Sequence, residues 1–531
     1  MAPHSTAIYQ LDVSLFRDGC GRGWGTLSGV VEKLDYLQWL GITHLWLLPT
    51  YRNGGRDGGY DVIDHCAIDP RIGDFDSFDL LIREATRRGI RVIVELVMQH
   101  TSDQHPWFLQ ARSGDARMAA RYIWADSPPE QGPDPMFPPI EASVWSWDAD
   151  AARFYQHRFY RHEPDLELAN AEVREEMGRI IAFWLDKGVA GFRVDAVPYM
   201  VERAALADPR DEGRWLLELM RGQAAAHHDA PILIGEADVE AGEYGKYLDH
   251  GRRLSHLLDF HLNNHLFLAF ALEDASQITS TLAEYNADAP ARSRLAWLRN
   301  NDELDLEQLS PEERASVMDR FAPEPGMRVY ERGIRRRLAP MFDHDVGALA
   351  MAHAVLLSLG QVPVLRYGDE IGLGDDLRLP ERDAVRVPMQ WAPGPRAGFS
   401  DGPAPPWRAA LSSHDRGVAS DAVNVQAQRD DPDSLLGRVR ELLQARRSLP
   451  WLEQDAEALP GLPRSILGLR FRSGDSALLT LVNVGRTPQR LHLAEATHAR
   501  PVVLRGADVE QQTVVLAGYG YAWLLVDSGG S

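Results

Sequence analysis

Short apolar runs alternate with helical stretches along most of this chain, and that alternation constrains its fold more than any other feature. Apolar runs at 8–13, 44–48, 91–97, 191–196, 232–236, 254–260, 295–299 and 362–366 read as strands. Val30, Val31, Leu34, Leu37 and Leu40 recur at helical spacing and predict a helix over 27–40, stopped by Gly41. Further helices are predicted at 76–88, 171–187, 210–225, 348–359 and 434–447. Eight strands separated in this way predict an α/β fold, a parallel (β/α)8 TIM barrel built from 1–100 and 165–448.

The rhythm fails from 101 to 161, where Pro, Trp, Asp and Phe dominate. Loops of that length are usually functional, so 101–164 is read as a lid subdomain inserted after the third strand. Beyond Pro450, runs at 477–482, 502–504, 514–516 and 521–526 are short strands with turn residues between them. They predict a C-terminal antiparallel β-sandwich over 449–531. The Gly- and Pro-rich stretch 392–407 reads as a surface loop.

Composition narrows the partners. A net charge of −21 argues against nucleic acid, because phosphate binding needs clustered Lys and Arg. No run offers ~18 uninterrupted apolar residues, so no membrane span is expected; 348–365 comes nearest, but His353, Gly360 and Pro363 interrupt it. Cys20 and Cys66 make no disulfide framework, and no basic-then-apolar leader opens the chain. Both features suit a cytoplasmic protein. Nothing in the sequence fixes an oligomeric state.

In a barrel of this kind, chemistry sits at the C-terminal ends of the strands. There the sequence places Asp57, Tyr60 and Asp61, then Gln99 and His100, Arg193 and Asp195, Glu236, and Asn301 and Asp302. Residues two apart in a strand share a face, so Arg193 lies beside Asp195 and favours its ionised form. Alone, such a pair is as readily a structural ion pair. Together, the acids suit glycoside chemistry, which needs two carboxylates with different duties. Asp195, held ionised, suits a nucleophile. Glu236, ending an apolar strand near other acids, suits a proton donor. Asp302 is a third carboxylate, and Tyr60 offers a flat face to a sugar ring.

The blocks Gly191-Phe192-Arg193-Val194-Asp195-Ala196, Gly235-Glu236-Ala237 and Asn300-Asn301-Asp302-Glu303 resemble those of the α-amylase family of glycoside hydrolases. Within it, 32–48, 100–108, 191–199, 333–341, 367–374 and 387–391 look most like the trehalose synthases. The resemblance covers nearly the whole chain and is weakest at 127–143 and beyond Trp451. It implies that Asp195 is the nucleophile, Glu236 the acid/base and Asp302 the transition-state stabiliser. It also implies a substrate-binding set of Asp57, Tyr60, His100, Arg193, Asn301 and Arg386, with Arg382 as the alternative to Arg386. Asp57 and Arg386 would close the pocket behind one terminal glucose. The implied substrate is a small α-glucoside, and the implied reaction is maltose–trehalose isomerisation through a covalent glucosyl-Asp. An α-glucosidase, a glucosyltransferase to another small acceptor, and a non-catalytic sugar-binding relative are the alternatives.

The chain departs from the family's pattern at several points. Glu95 and Gln99 stand where Asp and Asn are usual, Asn301 stands for His, and Glu163-Pro164-Asp165-Leu166-Glu167 replaces Gln-Pro-Asp-Leu-Asn. An Asn still donates to a hydroxyl but carries no charge. The two extra acids are expected to alter the acceptor side. Relatives often bind Ca²⁺ after the first strand, but 18–25 keeps only Asp18, so no metal or other cofactor is expected. Arg22 is expected to supply the missing positive charge. The lid-side Ca²⁺ site of relatives uses the Asn that is Gln99 here. His65 and His105 read as surface or loop-packing residues, Asp61 as support for Tyr60 or its loop, and Cys20 and Cys66 as inert. Trp145 and Trp147 read equally as acceptor-site and lid-packing residues. The acidic run 303–307 reads as a solvated face leading into a helix.

Overall fold

The computed structural model describes residues 5–129, 132–409 and 421–527. Eight parallel strands close into a barrel: Ile8–Leu11 (β1), His44–Leu47 (β2), Arg91–Leu96 (β3), Gly191–Val194 (β4), Ile232–Gly235 (β5), His256–Leu258 (β6), Arg294–Trp297 (β7) and Val362–Arg366 (β8). Each strand pairs with its neighbours in sequence, and β1 closes on β8. Ile8, Trp46, Ile93, Ile234, Leu295, Trp297 and Val364 fill the interior, so the barrel is a packed core and its chemistry is confined to the rim.

Local chemistry sets where elements stop. The helix predicted over 27–40 breaks at Lys33 into Leu27–Glu32 and Leu34–Leu40, and Gly41 ends it in the left-handed conformation. β6 is shorter than its apolar run, because the Asp259 carboxylate accepts the Leu262 N–H and starts helix Phe260–Leu272. Ahead of helix Trp215–Ala225, 210–213 is a 3₁₀ turn. Three features carry no clear periodicity in the sequence: the hairpin of Tyr51–Asn53 with Val62–Ile68, helix Val197–Ala204 behind β4, and an insertion after β7. That insertion pairs Leu304–Asp305 and Arg328–Val329 with Gly333–Ile334 around helix Pro311–Phe321.

Residues 101–164 carry helices Pro106–Arg112 and Ala116–Ala119 and a three-stranded sheet of Trp124–Ala125, Arg153–Gln156 and Trp145–Asp148. Bridges from His100 to Asp165 and from Tyr122 to Leu166 tie this segment to the barrel mouth. Helix Val346–Leu357 is apolar all round and packs between barrel and C-terminal sheet. That sheet comprises Glu457–Ala458 (β9), Ile466–Ser473 (β10), Ser476–Asn483 (β11), Gln489–His492 (β12), Arg500–Glu510 (β13) and Thr513–Asp527 (β14). It is one continuous antiparallel sheet folded over itself: β13 and β14 pair along their length, with irregular register near Val502 and Gly506. Leu479, Leu481, Leu491, Leu516 and Leu524 enclose a core between its two halves, so the layers share strands. No helix among the described residues is long and apolar enough to cross a membrane.

Candidate active site

Strand register assembles the centre. β4 and β5 pair with Val194 opposite Gly235, so the next residues, Asp195 and Glu236, leave the rim side by side. Neighbouring strands lie ~4.8 Å apart, close to the ~5–5.5 Å that separates the two carboxyls of a retaining glycosidase. β3 sets Glu95 opposite Arg193. Nη1 of Arg193 donates to Asp195 Oδ1 at 2.6 Å and to Glu95 Oε2 at 2.7 Å, while Nη2 contacts Glu236 Oε1. One buried guanidinium therefore serves three carboxylates. Trp46 Nε1 donates to Glu95 at 2.8 Å, and the Tyr60 hydroxyl donates to the same oxygen at 3.2 Å.

These surroundings drive the acids apart. Burial, reinforced by Asp195 and Asp302 against the pull of Arg193, pushes Glu236 up to about 8. The Ala196 N–H donates to Glu236 Oε2 at 3.2 Å, and Ala196 holds the left-handed conformation at φ 49°, a strain of ~1–3 kcal/mol characteristic of functional sites. Burial alone would also raise Asp302. Instead Arg382 Nη1 and Arg386 Nη2, each 2.9 Å from its Oδ1, hold it well below the usual carboxylate range. At neutral pH a protonated acid and an ionised one therefore share the rim.

A cavity of about 310 Å³ brings together Asp57, Tyr60, His100, Arg193, Asp195, Glu236 and Asp302. Burial keeps His100 low and neutral; its Nε2 donates to the Tyr60 carbonyl at 3.2 Å. Two of the expected substrate-binding residues lie elsewhere. Asn301 is buried off the cavity, with Oδ1 accepting from Arg366 Nη2 at 2.8 Å, and it is Asn300 that lines the cleft. Arg386 stands behind the wall, 3.3 Å from Asp57 Oδ1 and 2.9 Å from Asp302, whereas Arg382 faces the cavity. Gly58 makes room for that arginine: it sits at φ 57°, and a Cβ there would lie 2.8 Å from Arg386 Nη1.

Other expectations are corrected by packing. The acidic run is not a solvated helix start. Leu304–Asp305 pairs with Gly333–Ile334, Glu303 and Asp305 line the cavity with Glu307 exposed at its mouth, and the helix begins only at Pro311. Arg332 Nε meets Asp305 Oδ2 at 2.9 Å. Glu163 lies beside Asp57 and His100 in the cavity, its Oε1 making no hydrogen bond and lying 3.9 Å from Nε2 of His100 and of His162, and burial together with Asp57 and Asp61 raises it well above the usual range. Neither Trp145 nor Trp147 lines the cavity; Trp147 packs on Phe154 in the small sheet of 101–164. His65 and His105 are buried: His65 Nε2 meets the Val97 carbonyl at 2.9 Å, and the His105 ring accepts the Trp107 N–H at 3.1 Å. Asp61, fully buried, pairs with Arg56 at 3.3 Å. Cys20 is exposed and Cys66 half-buried, and neither forms a disulfide.

The residues present do not fit the calcium sites of relatives. Asp18 accepts the N–H groups of Cys20, Arg22 and Gly23 at 3.0, 3.2 and 2.7 Å, and the Ser400 hydroxyl at 2.7 Å. Backbone dipoles, not the exposed Arg22 guanidinium, therefore meet its charge. Beside the segment 101–164, Gln99, Glu163 and Asp165 offer the buried oxygens without a hydrogen bond among the described residues, fewer than the six to eight that Ca²⁺ takes. No group of three His, Cys, Asp or Glu among the described residues is placed to hold an ion.

Comparison with known proteins agrees with this geometry. The family model for the α-amylase catalytic domain matches residues 10–299 and 334–455. A trehalose synthase/amylase of Mycobacterium tuberculosis (strain CDC 1551 / Oshkosh) is 39% identical over 97% of this chain and 89% of the relative. A trehalose synthase of Pimelobacter sp. (strain R48) is 36% identical over 98% of this chain and 95% of the relative. A solved trehalulose synthase superposes with a TM-score of 0.79 at 23% identity, over 98% of this chain and 99% of that one; at that identity the likeness concerns the fold. The family match spans well over half the chain and falls on the strands that carry Asp195 and Glu236, and this protein belongs to the α-amylase family.

Proposed function

We propose that the protein is a retaining α-glucosyl-transferring enzyme that interconverts maltose and trehalose. The observation that carries this reading is the division of charge on one rim: Glu236 protonated, Asp302 ionised, and Asp195 hydrogen-bonded to Arg193. Asp195 attacks the anomeric carbon of the glucosyl unit while Glu236 gives its proton to the leaving oxygen. The sugar–oxygen bond breaks, an ester to Asp195 forms, and glucose is released within the cavity. Ionised Asp302 offsets the positive charge that develops on the ring. Glu236, now a base, takes the proton from the anomeric hydroxyl of the retained glucose. That oxygen then displaces Asp195, giving an α,α-linked product. Asp57, Tyr60, His100, Arg193 and Arg382 hold the glucosyl ring, with Arg386 bracing Asp57 and Asp302 from behind. Residues 101–164 act as the lid, 449–531 form a C-terminal unit, and two unpaired cysteines suit a cytoplasmic setting.

Support comes from the relatives named trehalose synthases and from a cavity within the size range of small-molecule sites. Incubation with maltose should yield trehalose as the main product, and Asp195→Asn should lower turnover at least about a thousandfold. Accumulation of glucose alone would instead identify an α-glucosidase. The acids Asp238, Glu303, Asp305 and Glu307 around the acceptor side favour a second reading, transfer to a different polyhydroxylated acceptor, which would appear as new glucosides when candidate acceptors are added.

A further inference from the structure

Arg386 forms the rear of the sugar pocket, and its partners fix where the guanidinium sits. Nη2 donates to Asp302 Oδ1 at 2.9 Å and Nε to the Asn301 carbonyl at 3.1 Å. Nη1 is held less tightly, between two carboxylates: Asp57 Oδ1 at 3.3 Å and Asp383 Oδ1 at 3.7 Å. Charge-assisted N–H···O bonds close at ~2.7–2.9 Å, so neither acid has fully captured this nitrogen. A cavity of about 110 Å³, separate from the catalytic one, lies against Arg386, with Asp12, Gly58, Asp383 and Arg408 also in its wall. Close packing holds a side chain whatever its partners. Beside a hollow, the two acids decide.

Arg408 bears on that contest. Its Nη2 donates to Asp383 Oδ2 at 2.8 Å, and its Nη1 donates to the carbonyls of Asp383 and Arg386 at 3.1 and 2.8 Å. It therefore grips both ends of the turn that leads from Asp383 to Arg386. Packing holds Arg408 in its own place. Its guanidinium lies 4.7 Å from the ring centroid of Trp407, which stacks on Trp24 at 4.3 Å with the planes 5° apart. Trp407 Nε1 donates to the Ser14 carbonyl at 3.0 Å, and the Arg71 guanidinium lies 5.0 Å from the Trp24 ring centroid. Segments after β1, β2 and β8 thus meet outside the wall whose inner face carries Asp57.

We propose that Arg408 is a positioning residue for sugar binding: it holds the Asp383 carboxylate off Arg386, which leaves Arg386 to brace Asp57. The inference rests on the reading above that Asp57 holds the glucosyl ring. Without Arg408, the Asp383 carboxylate is released beside Arg386 Nη1. The guanidinium then moves towards it, into the hollow, and Asp57 loses its counter-charge. Asp302 is affected less, because Arg382 Nη1 also donates to it at 2.9 Å. Binding of the sugar therefore suffers more than the chemical step. Arg408 touches no reacting atom and alters no step of the displacement.

The test compares maltose kinetics of wild type, Arg408→Ala and the double variant Arg408→Ala/Asp383→Asn. In Arg408→Ala, KM is expected to rise about 5- to 20-fold while kcat changes less than about 3-fold. In the double variant no rival carboxylate remains, so KM is expected to return to within about 3-fold of wild type. A merely structural role for Arg408 would lower melting temperature and kcat, and removing the Asp383 carboxylate would repair neither. An unchanged KM in Arg408→Ala, or a raised KM that the second substitution leaves raised, overturns the proposal. Arg408→Lys keeps the charge and reaches one oxygen. An intermediate rise is expected there, relieved by the same second substitution, and this pair carries the test should the alanine variant fold poorly. Binding of glucose, followed by calorimetry, reads the same pocket without turnover, and its Kd is expected to follow KM across the set. Wild type that binds glucose but makes no trehalose from maltose overturns the proposed isomerisation, and the glucose Kd values then decide the role of Arg408. Wild type that binds no glucose overturns both.

Discussion

Arg193 shows how much one side chain does here. Its guanidinium is buried among Glu95, Asp195 and Glu236, and a buried cation of that kind is tolerated only when fully engaged by opposite charge. Glu236 remains the protonated member, because burial outweighs the arginine's pull and the neighbouring acids add to the rise. A proton donor raised to about 8 is competent below that pH and is spent above it. The kcat/KM profile with maltose should therefore hold on its alkaline side until about 8 and then fall about tenfold per pH unit. A profile still flat a full unit higher would remove Glu236 from the donor's role. Asp195, Glu236 and Asp302 were legible in the sequence because strand ends announce them. Asn301 was not. Its neighbours face the cleft, and only the approach of Arg366 from β8 draws its carboxamide away.

At the scale of elements, short turns and pairings aim the side chains. The turn after β2 carries Asp57 and Tyr60 into the cavity, with Gly58 between them at φ 57°. An alanine there would be strained by ~1 kcal/mol and would press on Arg386. Gly58→Ala is therefore expected to raise KM for maltose about tenfold with a smaller effect on kcat, because Asp57 loses its brace while the carboxylates at β4 and β5 stay in place. An unchanged KM would show that Asp57 needs no such support. The acidic stretch 303–307 teaches the opposite lesson about reading elements. Its charge suggests solvent, yet beside the two-residue pairing with Gly333–Ile334 Glu303 and Asp305 line the cavity and only Glu307 stays exposed. A two-residue strand has too little pattern to be seen before its partner is known.

At the scale of the molecule, the segment 101–164 and the barrel meet around acids that burial keeps from ionising freely. The Asp165 backbone pairs with that of His100, and burial, against the pull of Arg158 and Gln99, raises its carboxyl to about 7. A carboxyl raised in the folded state stabilises it relative to the unfolded chain at low pH, and that contribution is lost as pH climbs through the folded value. Between about pH 4 and pH 7 the loss amounts to a few kcal/mol. Asp165→Asn should therefore flatten the dependence of melting temperature on pH, gaining on wild type from about pH 4 to about pH 7. Parallel curves for the two proteins would contradict this origin of the dependence. The amino-acid order by itself determined the barrel, its strand-end acids and the interruption after β3, because periodicity and position along a strand are local properties. Only tertiary structure decided which arginine faces the cavity, how the C-terminal sheet folds over, and that Arg386 meets Asp57. These depend on contacts between segments as much as 329 residues apart, and no local pattern encodes the partner of a side chain that distant.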